Sequence, residues 1–376
     1  MVDYIRDMYT QIRADPIFDS KWIIGAPLSN GNDLLLPTNC CAQWVDFADM
    51  HPYAFFGASV PTSAEGPYDT ITHYYAHSNQ VLLPDTLCLY FSFRAKFHFA
   101  QPTVQLDPYV TAIYSDPMQY YPNRPFFASE TGYPTNNGTG TTHDGTSIRA
   151  QGLYATRIYA EFFRIGIRRT CIYEMMDGHN DVGYDQDNFG IVHNNLVPKP
   201  GYTAIKNLMA IVRSGWVPTA SQPQPSSYPL SSIDLTINVS ATGSYNRTSY
   251  VHHLLLQKPS GEFLLLIWHD ISVEDISVFP HRQIDPPLMP TLVTIPPNFN
   301  VTIYAPNDGP GPSSAYSTNG TSTFVGETQL SLGIPPHVIV LVMYDMSSTS
   351  DASTLAGWIS YFYFWVELGK QLAHFL

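Results

Sequence analysis

The sequence changes character across residues 217–232, and that change constrains the fold more than any other feature. The stretch VPTASQPQPSSYPLSS is rich in proline and serine and carries no apolar period, so it reads as a linker. Before it, helical periodicity alternates with short apolar runs. After it, strand follows strand. Alternating β and α units build a parallel sheet with helices outside, whereas strands joined by turn signals build antiparallel sheets. The sequence therefore predicts an α/β domain over 1–216, a linker over 217–232, an all-β domain over 233–346 and an atypical apolar tail over 347–376.

In the first part, Tyr4, Ile5, Met8, Tyr9 and Ile12 give a helix over 3–14, ended by Asp15-Pro16. Short apolar strands are expected over 21–27, 44–53, 125–130 and 171–176. A long helix follows the polar loop 134–146, with Ile148, Gly152, Ala155, Ile158, Tyr159, Phe162 and Phe163 on one side. A last helix over 201–213 follows Lys199-Pro200. A closed eight-stranded barrel takes about 250 residues, more than precede the linker. In the second part, strands over 249–257 and 262–268 flank Lys258-Pro259-Ser260-Gly261, a hairpin signal. Further strands over 293–295, 300–304, 329–332 and 337–344 complete an antiparallel sandwich pattern.

The net charge of -13 argues against nucleic acid and anionic membrane surfaces as partners. Aromatic residues make up 14% of the chain, which suits either an aromatic core or stacking on sugars. The cysteines, Cys40, Cys41, Cys88 and Cys171, lack the spacing of a zinc site and do not require disulfides. No metal or organic cofactor is implied. Sequons at Asn137, Asn238, Asn246, Asn300 and Asn319 favour an extracellular or secretory location, although the start of the chain lacks the apolar core of a signal peptide. The uncharged run 352–366 is too short to span a bilayer comfortably.

The stretch Pro125-Phe126-Phe127-Ala128-Ser129-Glu130-Thr131-Gly132-Tyr133 carries the chemistry. It reads as a buried strand that ends on a carboxylate and turns on a glycine, with Phe126, Ala128 and Glu130 on one side. A carboxylate at the C-terminal end of a buried strand is the usual place for a catalytic group in a strand–helix barrel.

With His51-Pro52-Tyr53, Tyr173-Glu174-Met175-Met176-Asp177, Asn188-Phe189-Gly190-Ile191-Val192 and Pro198-Lys199-Pro200-Gly201-Tyr202, this stretch resembles the C-terminal half of clan A glycoside hydrolases. These are (β/α)8 retaining enzymes that include families five and thirty-nine. The resemblance implies a partial barrel carrying strands five to eight with an appended β-sandwich, and an oligo- or polysaccharide as partner. It makes Glu130 the nucleophile and Tyr53 its hydrogen-bonding tyrosine. His51, Tyr133 and Asp177 would line the sugar site, and His51 reads equally as a core histidine.

Strands one to four, and the acid/base glutamate of the fourth, have no counterpart here. Glu174 is expected inside the eighth strand, as a surrogate acid or a buried structural carboxylate. The family's tryptophan near the end of that strand is replaced by Met175 and Met176. The apolar run 81–100 interrupts the pattern, as an insert without family counterpart or an added hairpin. A half barrel also leaves its sheet edges open, which predicts marginal stability. Two functional readings stay open, a truncated retaining glycosidase and a non-catalytic glycan-binding remnant.

Overall fold

The structure is a computed structural model that describes residues 2–15, 24, 42–50, 87–89, 126–136, 145–164, 167–179, 181–213, 233–242, 248–258, 261–275 and 281–346. His51, Tyr53, Asn137, Asn246, the linker and the tail lie outside the described residues.

The fold is mixed α/β, with few helices and many strands. Helix α1 (Val2–Ala14) follows its predicted span, and its last-turn Arg13 pairs with Asp46 at 2.6 Å. That pair ties α1 to the segment entering strand β1 (Ala48–Met50). Strand β3 (Phe126–Thr131), helix α2 (Ile148–Arg164) and strand β4 (Ile167–Ile172) form a βαβ unit whose strands are parallel neighbours. β1 runs parallel to β3 on its other side, with Ala48 opposite Phe126, and Ile24 extends the sheet through a parallel bridge to Phe47.

Two expectations are corrected here. β4 ends at Ile172, so Glu174 lies beyond the strand instead of inside it. The strand starts at Ile167, ahead of the expected 171, and takes in Arg168 and Arg169, the latter pairing with Phe127. The outer edge of β4 is also not open. Strand β2 (Leu87–Leu89), drawn from the apolar run 81–100, pairs antiparallel to it, with Cys88 opposite Cys171. Cys171 is disulfide-bonded, although composition alone required no disulfide. An antiparallel edge strand on a parallel sheet is a common way to finish such a sheet.

Helix α3 (Pro200–Arg213) packs beside α2. Beyond it come β5 (Thr236–Val239), β6 (Val251–Gln257), β7 (Phe263–His269) and the short pair β8 (Glu274–Asp275) and β9 (Arg282–Gln283). Next are β10 (Met289–Thr294), β11 (Phe299–Tyr304), β12 (Thr323–Val325), β13 (Gln329–Ile334) and β14 (Ile339–Asp345). They form a three-stranded sheet, β13-β10-β5, and a five-stranded sheet, β12-β11-β14-β7-β6, both antiparallel. Their alternating inward residues, among them Val293, Leu332, Val301, Leu265 and Leu341, share one core.

The other face of the five-stranded sheet is equally apolar. Leu264, Leu266, Trp268 and Val340 meet Ala160, Phe163, Leu208 and Ile211 of α2 and α3. This explains why β7 is buried along its whole length, since both of its faces are covered. The opposite side of the helices meets the parallel sheet through Tyr154, Ile158, Phe162, Ala128 and Ile172. α2 thus lies between two sheets and is buried almost all round, as such a position demands. Ser147 starts it, its hydroxyl accepting the Ala150 N–H at 3.1 Å. Among the described residues no helix is long and apolar enough to cross a membrane.

Candidate active site

Glu130 is 3% exposed at the C-terminal end of β3. Its surroundings are made by backbone contact between the segments that leave β3 and β4. The Tyr173 N–H donates to the Thr131 carbonyl at 2.7 Å. A Cβ on Gly132 would lie 2.0 Å from the Tyr173 carbonyl oxygen, so that position excludes every other residue unless the backbone moves. Past β4, residues 174–177 clasp residues 189–192. Glu174 N–H donates to Phe189 O, Ile191 N–H to Glu174 O, Val192 N–H to Met175 O and Asp177 N–H to Val192 O. Gly190 permits this approach, since a Cβ there would sit 2.1 Å from Asp177 N. The Asn-Phe-Gly-Ile-Val motif is therefore one side of a backbone clasp. Phe189 adds an edge contact to the Tyr173 ring, 5.3 Å between centroids.

Glu174 is buried on this clasp, two residues past β4, and its negative charge acts on Lys199. The Tyr173–Glu174 peptide is cis. Asp177 is buried as well, and its oxygens are engaged. Lys199 Nζ lies 2.7 Å from Oδ1 and His193 Nδ1 lies 3.3 Å from Oδ2. Lys199 also donates to Thr135 Oγ1 at 2.9 Å. Burial pushes the Lys199 ammonium down, and Asp177 and Glu174 pull it back toward the charged form. Asp177 is thus an internal counter-ion that fastens the Pro-Lys-Pro turn. Tyr133 is buried against Tyr154 of α2, with centroids 5.0 Å apart, and belongs to the core.

Sequence reasoning missed the roles of three residues. Gln151 of α2 donates from Nε2 to the carbonyls of Tyr133, Phe189 and Gly190 at 2.8, 3.4 and 3.2 Å, tying together the segments after β3 and β4. Asn188 donates to Asp181 O and Tyr184 O, which stiffens the loop 181–188 and leaves Val182 and Tyr184 exposed. Asp49 of β1, 3% exposed, accepts both the N–H and the O–H of Ser129, the residue before Glu130. No spacing rule marks a lone Gln, Asn or Asp for such a task.

A second cluster lies on the far side of α2. Glu161, His252 and Asp270 bring one ligand atom each within 4.8 Å of one another. Arg157 pairs with Asp270, and Arg164 grips Glu161 at 2.5 Å. Two carboxylates thus already face two guanidinium groups, and a divalent cation would add excess positive charge to a buried place. Burial alone would push the Glu161 carboxyl up. The charges of His252 and Arg164 and their hydrogen bonds outweigh it and hold the group well below the usual carboxylate range.

No family model and no curated protein matches the chain. Among solved structures it is similar to a glycoside hydrolase family 17 β-1,3-glucanosyltransferase from Rhizomucor miehei, also seen as an active-site mutant with laminaritriose. The identity is 12% over 54% of this chain and 57% of that one, with a TM-score of 0.33. It is also similar to a family 39 glycoside hydrolase from Bacteroides cellulosilyticus WH2, at 14% identity over 81% of this chain and 45% of that one, with a TM-score of 0.37. The chain spans about half the length of each. Overlaps of this size fix neither the activity nor the substrate of the chain, which must be argued from its site.

Proposed function

We propose that the chain is a glycoside hydrolase-like protein that acts on O-glycosidic bonds by a retaining route, with Glu130 as nucleophile. The parallel sheet is then a segment of a strand–helix barrel, and the two antiparallel sheets are its appended sandwich. The observation that carries the reading is Glu130 itself, a buried carboxylate at the tip of a parallel strand, beside the clasp that follows β4.

The Glu130 carboxylate attacks the anomeric carbon and forms a glycosyl ester as the bond to the leaving oxygen breaks. Water then hydrolyses the ester. The leaving oxygen needs a proton, and a proton donor contributes about 10²–10⁴-fold. Glu174, buried two residues past β4, is the surrogate acid of this reading, a role its carboxyl fills only in the protonated form. The stiff loop bearing Tyr184 and Val182 offers an apolar platform to a sugar face. That platform favours, as a second reading, glycan binding without turnover.

The test avoids the proton donor altogether. A 2,4-dinitrophenyl 2-deoxy-2-fluoro-glycoside has a leaving group that needs no protonation and forms a glycosyl ester that hydrolyses slowly. A panel of gluco, galacto, manno and xylo forms should modify the full chain at Glu130, read by peptide mass. Glu130→Gln should remove the modification entirely. Retention of binding without any ester would favour the second reading.

A secretory route is part of the proposal, supported by the exposure of Asn238 and Asn319. Asn300 lies half-buried as the second residue of β11 with its side-chain oxygen shielded. Expression in a glycosylating host should give occupancy at Asn238 and Asn319 and none at Asn300, measured by glycopeptide mass.

A further inference from the structure

We propose that Asp49 is a positioning residue that sets the direction of the Glu130 carboxylate. The inference rests on the reading of Glu130 as nucleophile, and its physical basis is the state of β3 at residues 129 and 130. On the β4 side the ladder loses its register between Ala128 and Thr131, the span that contains Ser129 and Glu130. On the β1 side the described pairs run from Ala48 to Met50, the last of them opposite Ala128. The residue that carries the attacking group thus lies inside the irregular span on the β4 flank. Irregularities of this kind re-aim a side chain, and a re-aimed side chain needs another restraint to keep one direction.

Asp49 supplies that restraint. Its Oδ1 accepts the Ser129 N–H at 3.1 Å, and its Oδ2 accepts the Ser129 hydroxyl at 2.8 Å. A buried side chain thus holds both the main-chain N–H and the hydroxyl of Ser129. Two bonds to one residue fix its rotation as well as its distance, and Glu130 is the next residue along. Bonds to a charged acceptor in a dry setting are also the stronger kind.

The test uses the full chain and the dinitrophenyl fluoro-glycoside that modifies Glu130. The maximal rate of ester formation is measured separately from the concentration giving half that rate, with the folded fraction monitored by circular dichroism. Asp49→Ala should lower the maximal rate about 10²-fold, as expected for a misaligned reacting group, with the half-saturating concentration unchanged. Asp49→Asn keeps an oxygen for the Ser129 N–H and an amide for the Ser129 oxygen, so it should recover most of the lost rate. Ser129→Ala removes one bond of the two and should fall between the wild type and Asp49→Ala. A purely structural role would lower the folded fraction and leave the rate per folded molecule alone. If Asp49→Ala fails to fold, Ser129→Ala decides, and a wild-type rate in that variant overturns the proposal. Wild-type modification at Glu130 with an unchanged rate in Asp49→Ala overturns the positioning role and leaves the nucleophile standing. Failure of the wild type to be modified at Glu130 overturns both.

Discussion

Among the described residues, a half-buried charge cluster at the strand ends and a buried one behind α2 are built in different ways. The cluster at the strand ends joins Asp177, Lys199 and His193, all within one stretch of loop and turn. The cluster behind α2 joins Arg157 and Glu161, one turn apart on the helix, to His252 on β6 and Asp270 just past β7. The first pins loops near Glu130 and is local in sequence. The second rides on regular elements and fastens the helices to the five-stranded sheet, helped by Asn307, which donates to Gly152 O and accepts from Thr156. The lesson is that similar ionic chemistry serves two ends, local alignment in one place and cohesion between layers in the other.

The comparison can be broken most directly at the interface. Arg157→Ala strands Asp270 without its guanidinium, and breaking a buried pair in this way costs about 3–5 kcal/mol. Replacing both partners by apolar residues should cost less than either single change. Urea denaturation of the two singles and the double measures this, and additive losses would contradict the pairing. Lys199→Met should cost toward the low end, about 3 kcal/mol, because His193 remains beside Asp177. Its sharper effect should be on Glu130 modification, which the interface variants should leave nearly intact per folded molecule. Gly132→Ala forces the Tyr173 carbonyl aside, for about 1–3 kcal/mol of overpacking, and should also slow modification.

The smallest effect is on pH dependence. Burial pushes the His337 imidazole down to about 4, while Asp308 pulls it up and Arg157 and Arg149 push it down further. Its folded value lies below the ordinary 6.5. Its contribution is therefore whole above pH 6.5 and drains away as the pH falls toward 4. His337→Gln should flatten the melting temperature across that window. Glu161, held low in the fold, adds a further loss on the acid side, below the ordinary carboxylate range.

Much of the fold was legible because its elements carry clear periods. α1, α2, α3 and most strands beyond the linker lie within a few residues of their predicted spans. The strand bearing Glu130 was legible for the same reason, being a short apolar run stopped by a charge and a glycine. β4 was read late because two arginines inside a strand look like the approach to one. Arg157 and Glu161 went unmarked, since the sheet that covers them comes some 90 residues or more later in the chain. Asp49 and Gln151 were invisible for a related reason. Their work is hydrogen bonding to partners that only the folded backbone brings near. Tyr133 and Asp177 are buried, and a sequence pattern does not say which way residues beside a strand tip turn.

The strand Leu87–Leu89 has a consequence for how this sheet can grow. The outer edge of β4 offers a single row of amide and carbonyl groups, and that row is spoken for at Thr170, Cys171 and Ile172. A further parallel strand, from this chain or another, would have to evict the present occupant before it could join. Enlargement of the sheet on that side is therefore a contest between rivals for one seat, and its outcome can be followed by whether residues 87–89 become open to proteolysis when the challenger arrives.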